Sequence, residues 1–252
     1  MEVHAHNNTE KKKWNHYLWE FLMLFLAVFA GFVAENIREN LTERKREKQY
    51  IESMVVDLKQ DTSMIRTMIK ANFRMTYGQD SLIEALNNFK DTGNVSKKCY
   101  RYYFLYTTQF LEVAFNERTM SQLLNAGNMR MIEKRGISDS LMDYDIMVNS
   151  VKEQGKAYEE YFKKTLDQSE QIFDFTYART DLHENYSVTP KRPVQNLELK
   201  LLTTDPAVLK KYAVQLALSK AILQGYILSL KETKDKAAAL ISLLKKRYKL
   251  PA

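Results

Sequence analysis

The chain has 252 residues, 45% of them hydrophobic and 27% charged, a globular balance that excludes a disordered or low-complexity polypeptide and leaves room for one long domain or two small ones beside a membrane segment. Only seven glycines and four prolines punctuate it, which disfavours a turn-rich β architecture and favours few, long helices. The single cysteine, Cys99, excludes an intrachain disulfide and leaves the compartment open, and the net charge of +7 is local: between Lys231 and Lys249 seven basic residues stand against Glu232 and Asp235, a surplus of five.

The first element is the run Phe21–Ala34, which carries no charged or strongly polar residue. Extended back to Tyr17 it is eighteen residues long, interrupted only by Glu20. About twenty apolar residues at ~1.5 Å each cross a ~30 Å hydrocarbon core, and flanking residues that snorkel cover the shortfall. Trp14, Tyr17 and Trp19 sit at the N-terminal edge, behind Lys11, Lys12 and Lys13, where an interfacial aromatic belt belongs. A buried core helix and a cleaved signal peptide (Val28-Phe29-Ala30) are the rival readings; the heptad register that runs on past Ala30 favours an uncleaved anchor. The expected organisation is a basic tip over 1–16, a transmembrane helix over 17–35 and a helical extramembrane domain over 36–252.

That register is Glu20, Ala27, Ala34, Leu41, Lys48, Val55, Thr62 and Ile69, with Met23, Ala30, Ile37, Arg44, Ile51, Leu58 and Ile65 at the partner positions. One mostly apolar, coiled-coil-like stripe therefore crosses the membrane boundary, and neither Gly nor Pro occurs between Gly31 and Gly78. The spacing predicts one helix reaching ~50 Å or more beyond the bilayer. A separate helix is expected over 80–90, closed by the turn Asp91-Thr92-Gly93-Asn94, then an aromatic-dense stretch over 98–115. A short helix over Met120–Ala126 takes Gly127 as its C-terminal cap. Another helix runs from Ile137 to about Tyr177, and His183–Gln195, with Pro190 and Pro193, is a loop. Asp205-Pro206 opens the last helix as N-cap and first helical residue. There Leu209, Leu216, Leu223, Leu230, Ala237 and Leu244 recur every seven residues, with Lys220 and Lys234 breaking the second row of Ala213, Ile227, Ile241 and Tyr248. The two long stripes are expected to face each other, giving an all-α protein whose transmembrane helix continues into an elongated antiparallel bundle.

Two stretches carry a resemblance: WEFLMLFLAVFAGFVAENIRENLTERKREKQYIESMVVDLKQD, and Thr119 to Asp145, TMSQLLNAGNMRMIEKRGISDSLMDYD. Together they resemble a family of uncharacterised single-pass membrane proteins of Bacteroidota, in which a Glu-containing transmembrane helix and a basic exit helix precede a helical domain. That domain's motif falls here on Leu124, Ala126-Gly127, Met129-Arg130, Ile132, Leu141 and Tyr144, with Ala126 where the family commonly has Ser. The resemblance covers roughly the first 145 residues and implies a bacterial inner-membrane protein with a periplasmic domain. The charges next to the span lean the other way, because Arg38, Arg44, Lys45, Arg46 and Lys48 follow it closely.

Candidate functional residues fall into two groups. Glu20, Ala27, Ala30, Gly31 and Ala34 form a membrane-packing set, since small residues four apart let helices approach in lipid, and Glu20 lies close enough to the interface to reach headgroups. Arg44, Lys45, Arg46, Lys48, Lys245, Lys246, Arg247 and Lys249 form a basic set that an antiparallel last helix would gather into a collar for anionic lipid; a solvated helix end is the plainer alternative. No HExxH, CxxC, GxSxG, Walker A or GxGxxG pattern occurs, so no enzyme, cofactor, metal or nucleic-acid partner is expected. The expected partners are the bilayer and a second copy or another membrane protein. The function expected is a membrane-anchored, oligomeric interaction or scaffold protein. A ligand-sensing bundle that signals through its anchor, and an ion-coupled subunit using Glu20, are the alternatives.

Overall fold

The computed structural model describes residues 14–90, 93–125, 127–176 and 199–251. Five α-helices lie among them: α1 (Trp14–Asn87), α2 (Gly93–Tyr106), α3 (Arg118–Asn125), α4 (Arg135–Ser169) and α5 (Pro206–Tyr248), with a 3-10 turn at Asn128–Met131. No strand occurs among the described residues, and the protein is all-α. Lys11–Lys13, His4, His6, Asp91-Thr92, Ala126, Tyr177, His183 and the expected loop 183–195 lie outside the described residues. The chain divides into two compact units at Tyr50/Ile51.

In the first unit α1 is apolar all round from Phe21 to Ala34. Phe21, Phe25 and Phe29 stack along one flank, with ring centroids 6.3 and 6.1 Å apart. Its large side chains, from Trp14 through Phe32 to Leu41, are exposed, and nothing among the described residues covers them. A helix apolar on every side belongs in a core or in lipid. Two helices, α1 and α5, are long and apolar enough to cross a membrane by length and composition. The best window of α1 is 0% buried and that of α5 is 39% buried.

The second unit is built on the two stripes. Ile51, Val55, Leu58 and Ile65 of α1 are buried, as are Leu209, Leu216, Leu223, Leu230, Ala237 and Leu244 of α5. They run side by side and antiparallel. Asn87 meets Lys210 at 3.2 Å, Asp80 pairs with Lys220, and Lys231 lies 5.9 Å from the Phe73 ring centroid. Lys220, which broke the apolar row, thus serves as a cross-helix partner. Ile65 of α1 shares a cluster with Leu223, Tyr226 and Leu230 of α5, and Leu82 and Leu86 share another with Leu209 and Leu216. At the start of α5 the Asp205 carboxylate accepts from the Ala207 N–H at 2.9 Å, the cap read from Asp205-Pro206.

Of the three long helices, α5 is antiparallel to the other two. α4 runs parallel to α1, because Asp61 meets Tyr144 at 2.8 Å and Gln79 lies beside Tyr158. Against α5, α4 is antiparallel: Asp143 to Lys236 at 2.9 Å and Gln154 to Ser229 at 2.6 Å. Parallel helices need a return connection, and residues 107–117 supply it. The Tyr106 carbonyl meets Gln79 at 3.3 Å, the Leu111 carbonyl meets Asn72 at 3.5 Å, and the Asn116 N–H meets Asp61 at 2.8 Å. From Gln79 to Asp57 the helix covers about 33 Å, close to the ~40 Å reach of the twelve residues from Tyr106 to Arg118 when extended.

Three sequence expectations shift. No break occurs at Gly78: α1 runs on to Asn87 and absorbs the expected 80–90 helix, because a Cβ at Gly78 would overlap the Tyr106 ring. The glycine serves close approach, not chain reversal. α4 ends at Ser169 rather than near Tyr177: the buried Ser169 hydroxyl is held by Tyr103 at 2.8 Å, and the Ile172 and Phe173 N–H groups turn back to donate to the Ser169 carbonyl. Ile172 and Phe173 still fill the core, but from that turn, with Phe173 stacked on Tyr103 at 4.0 Å. The aromatic stretch divides into α2, whose Tyr100, Tyr103 and Phe104 are core, and the extended return segment. Gly127 does cap α3, at φ 63°.

Leu223 is fully buried between the helices. Leu223→Asp places a charge there with no partner and is expected to cost several kcal/mol, roughly three to five, read as a lower urea midpoint of the detergent-solubilised chain.

Candidate functional site

Within the buried side of α1, Asp57 and Asp61 stand one turn apart with 1% and 2% exposure. Two carboxylates at that depth require donors. The Asp57 carboxylate accepts from the Arg118 guanidinium at 2.9 Å on one oxygen. Its other oxygen accepts from the Thr119 N–H at 3.2 Å and from the Thr119 hydroxyl. Arg118 and Thr119 are the first two residues of α3, whose leading N–H groups have no partner inside the helix. Asp57 therefore caps α3 from another helix, where the helix dipole also favours a negative charge.

Asp61 divides its oxygens in the same way. One accepts from the Asn116 N–H at 2.8 Å and the other from the Tyr144 hydroxyl at 2.8 Å. The Asn116 side chain reaches Gln60 at 2.5 Å, so 116–119 hangs on three residues of a single helical turn. Burial holds the Asp61 carboxyl above the usual carboxylate range; the Asn116 and Tyr144 donors pull it back, and Asp57 pushes it up again. Burial, then the Asp61 charge, pushes the Tyr144 phenol well above its ordinary value, which keeps its proton in place as a donor. With their oxygens committed in this way, the pair acts as a latch that ties return segment, α3 and α4 to α1. It also joins two distant stretches of the chain, with Asp57 and Asp61 in one and Thr119 and Tyr144 in the other.

The sequence-predicted residues are placed as follows. Ala27, Ala30, Gly31 and Ala34 are exposed, and nothing lies within 4 Å of where a Gly31 Cβ would sit. Glu20 reaches His16, one turn nearer the N-terminus, at 3.0 Å. Arg44, Lys45, Arg46 and Lys48 are exposed in the first unit. Lys246, Arg247 and Lys249 are exposed in the second. Lys245 is partly buried there, and its pKa is lowered by that partial burial and then by neighbouring Lys59. Lys134 joins them, donating to the Arg247 carbonyl at 2.9 Å and lying 4.0 Å from the Tyr248 ring centroid. Cys99 is fully buried, and burial outweighs Lys98 to push its thiol up to about 11. No group of three or more His, Cys, Asp or Glu side chains that could hold a metal comes together among the described residues. Two surface clefts, of about 340 and 320 Å³, open beside Lys134 and Arg247 and beside Glu112 and Tyr226.

Asp57, Asp61, Arg118 and Thr119 were not singled out from sequence. The legible signal was two acids four apart, next to Leu58 on the apolar stripe. No family model, curated protein or solved structure matches the chain.

The two acids are expected to differ when neutralised. In Asp57→Asn an amide N–H must face a donor on either side, an expected loss of about 1–3 kcal/mol. In Asp61→Asn the amide can donate to Tyr144 and still accept from Asn116, so the change at pH 7 stays within about 1 kcal/mol. Because the folded pKa of Asp61 is raised, the folded state holds its proton more tightly, and stability falls as pH rises through the range above the ordinary carboxylate value. Urea titrations from pH 4 to 7 should show the wild type losing stability relative to Asp61→Asn as pH rises.

Proposed function

We propose that this protein is a membrane-anchored helical scaffold, held by a single pass over residues 17–35 in a bacterial inner membrane, with its 51–251 bundle in the periplasm. The observation that carries the reading is the contrast between the two apolar helices. The α1 window has mean hydropathy 2.0 and no burial, whereas α5 reaches 1.3 and spends its leucine stripe on a protein core. Lipid is the cover that α1 calls for, and α5 already has one. The family resemblance favours the periplasmic side over the flanking charges.

A scaffold suits the second unit because its buried acids are committed to holding helices together. The buried acids, Tyr144 and Ser169 have partners within the fold. The expected partners are the bilayer and other membrane proteins, a second copy among them. Glu20 fits an interfacial role better than ion coupling, since it meets His16 one turn toward the N-terminal edge. Headgroup contact at Lys245, Lys246, Arg247 and Lys249, at up to ~1 kcal/mol per charge, would steady the domain at the surface.

Topology is tested by fusing reporters after Ala252. A reporter that folds only in the periplasm should be active there, and activity of a cytoplasm-only reporter would overturn the assignment. Gly31 tests association in the membrane, because a bulky residue keeps backbones apart at a small-xxx-small face. Gly31→Leu should lower the cross-linked oligomer several-fold in native membranes; an unchanged yield would remove this face from the reading.

A further inference from the structure

The side of α5 turned away from the core carries its own pattern. Lys211, Val214, Leu218, Ala221, Gly225, Leu228 and Glu232 follow one another at alternating steps of three and four, the spacing of a coiled-coil seam. All seven are exposed, Val214 at 59%, Leu218 at 47% and Leu228 at 57%. Nothing lies within 4 Å of where a Gly225 Cβ would sit. Lys211 and Glu232 close the two ends of the seam, and neither takes part in an ion pair among the described residues. The nearby Lys231 is turned over the Phe73 ring of α1. The seam is about 31 Å long and has no charge between its ends.

Its order is self-complementary when reversed. A two-fold axis at Ala221 sets Val214 level with Leu228 and brings Leu218 beside Gly225 and Lys211 beside Glu232, each within one residue (~1.5 Å) of level, every pairing occurring twice. The large Leu218 then meets the one position with no side chain, a knob over a hole, and both ends carry opposite charges. Parallel pairing would instead oppose Lys211 to Lys211, Glu232 to Glu232 and Gly225 to Gly225, with like charges at both ends and a gap between. Isologous two-fold contacts are the commonest form of self-association. We infer that the outer face of α5 binds a second copy of this chain, with the two α5 helices antiparallel about Ala221. The contact is read from α5 alone.

The test uses the full chain in mild detergent, where each anchor has its own micelle and either orientation is free. Lys211→Cys and Glu232→Cys are purified separately, one with a size tag, and treated with a short thiol cross-linker alone and mixed; native Cys99 is fully buried. The mixture should give a cross-linked dimer containing one of each, with little from either variant alone. Cross-linking of Lys211→Cys with itself as strongly as in the mixture would overturn the antiparallel pairing. Absence of mixed product would overturn self-binding and leave the seam to lipid, detergent or another partner. Gly225→Leu fills the hole at a position open to solvent, so circular dichroism should be unchanged while mixed product falls about tenfold, the equivalent of ~1.4 kcal/mol; an unchanged yield would likewise overturn the pairing.

Discussion

Two carboxylates buried on one helix cannot stay charged without donors, and that requirement organises the second unit. Asp57 and Asp61 take their donors from Asn116, at the end of a segment with no regular structure of its own, from Arg118 and Thr119 at the start of α3, and from Tyr144 on α4. Once 116–119 is tied there, the chain must come back along α1 before α4 can begin. The extended stretch 107–117 makes that return, and α4 consequently starts beside the same end of α1 and runs parallel to it. A return segment with few backbone bonds is vulnerable, and the acids replace those bonds with charge-assisted ones. Val113 adds another tie, its N–H donating to the Tyr226 hydroxyl at 3.2 Å.

α5 closes the bundle against both parallel helices. It fits because its leucine row, Leu209–Leu244, and the buried row of α1 from Ile51 to Leu86 match in length, about 52 Å each, and because its interrupting lysine, Lys220, meets an acid on the neighbouring helix. The same helix carries a second apolar row on its outer side. An amphipathic helix needs one such face to fold, so the second is available for association. α1 differs in kind, since over its first part no face is covered.

Local signals were legible wherever the cause was local. Asp205-Pro206 opens α5, Gly127 caps α3, and the heptad leucines mark what is buried. The misreadings had tertiary causes. Gly78 looks like a helix end until the Tyr106 ring is placed against it. Ile172 and Phe173 look like the next turn of α4 until Tyr103 and Ser169 stop the helix short. Nothing in residues 107–117 announces an extended return segment, because its partners are Gln79, Asn72 and Asp61 on a distant helix. Of the candidate residues, the membrane and basic sets came from composition and spacing, whereas the latch required two distant stretches to meet. Asp57 and Asp61 were visible as acids on an apolar stripe, but the sequence does not show what answers them.

The central claim is that α1 alone crosses the membrane and that α5, despite its apolar composition, stays with the bundle on one side. Single cysteines at the exposed ends of α5, Ala207→Cys and Lys249→Cys, decide this most directly when treated with a membrane-impermeant maleimide in sealed vesicles of one orientation. The account predicts the same accessibility for both positions in either vesicle orientation. Modification of one end in right-side-out vesicles and of the other only in inverted ones would make α5 a second span and contradict the account.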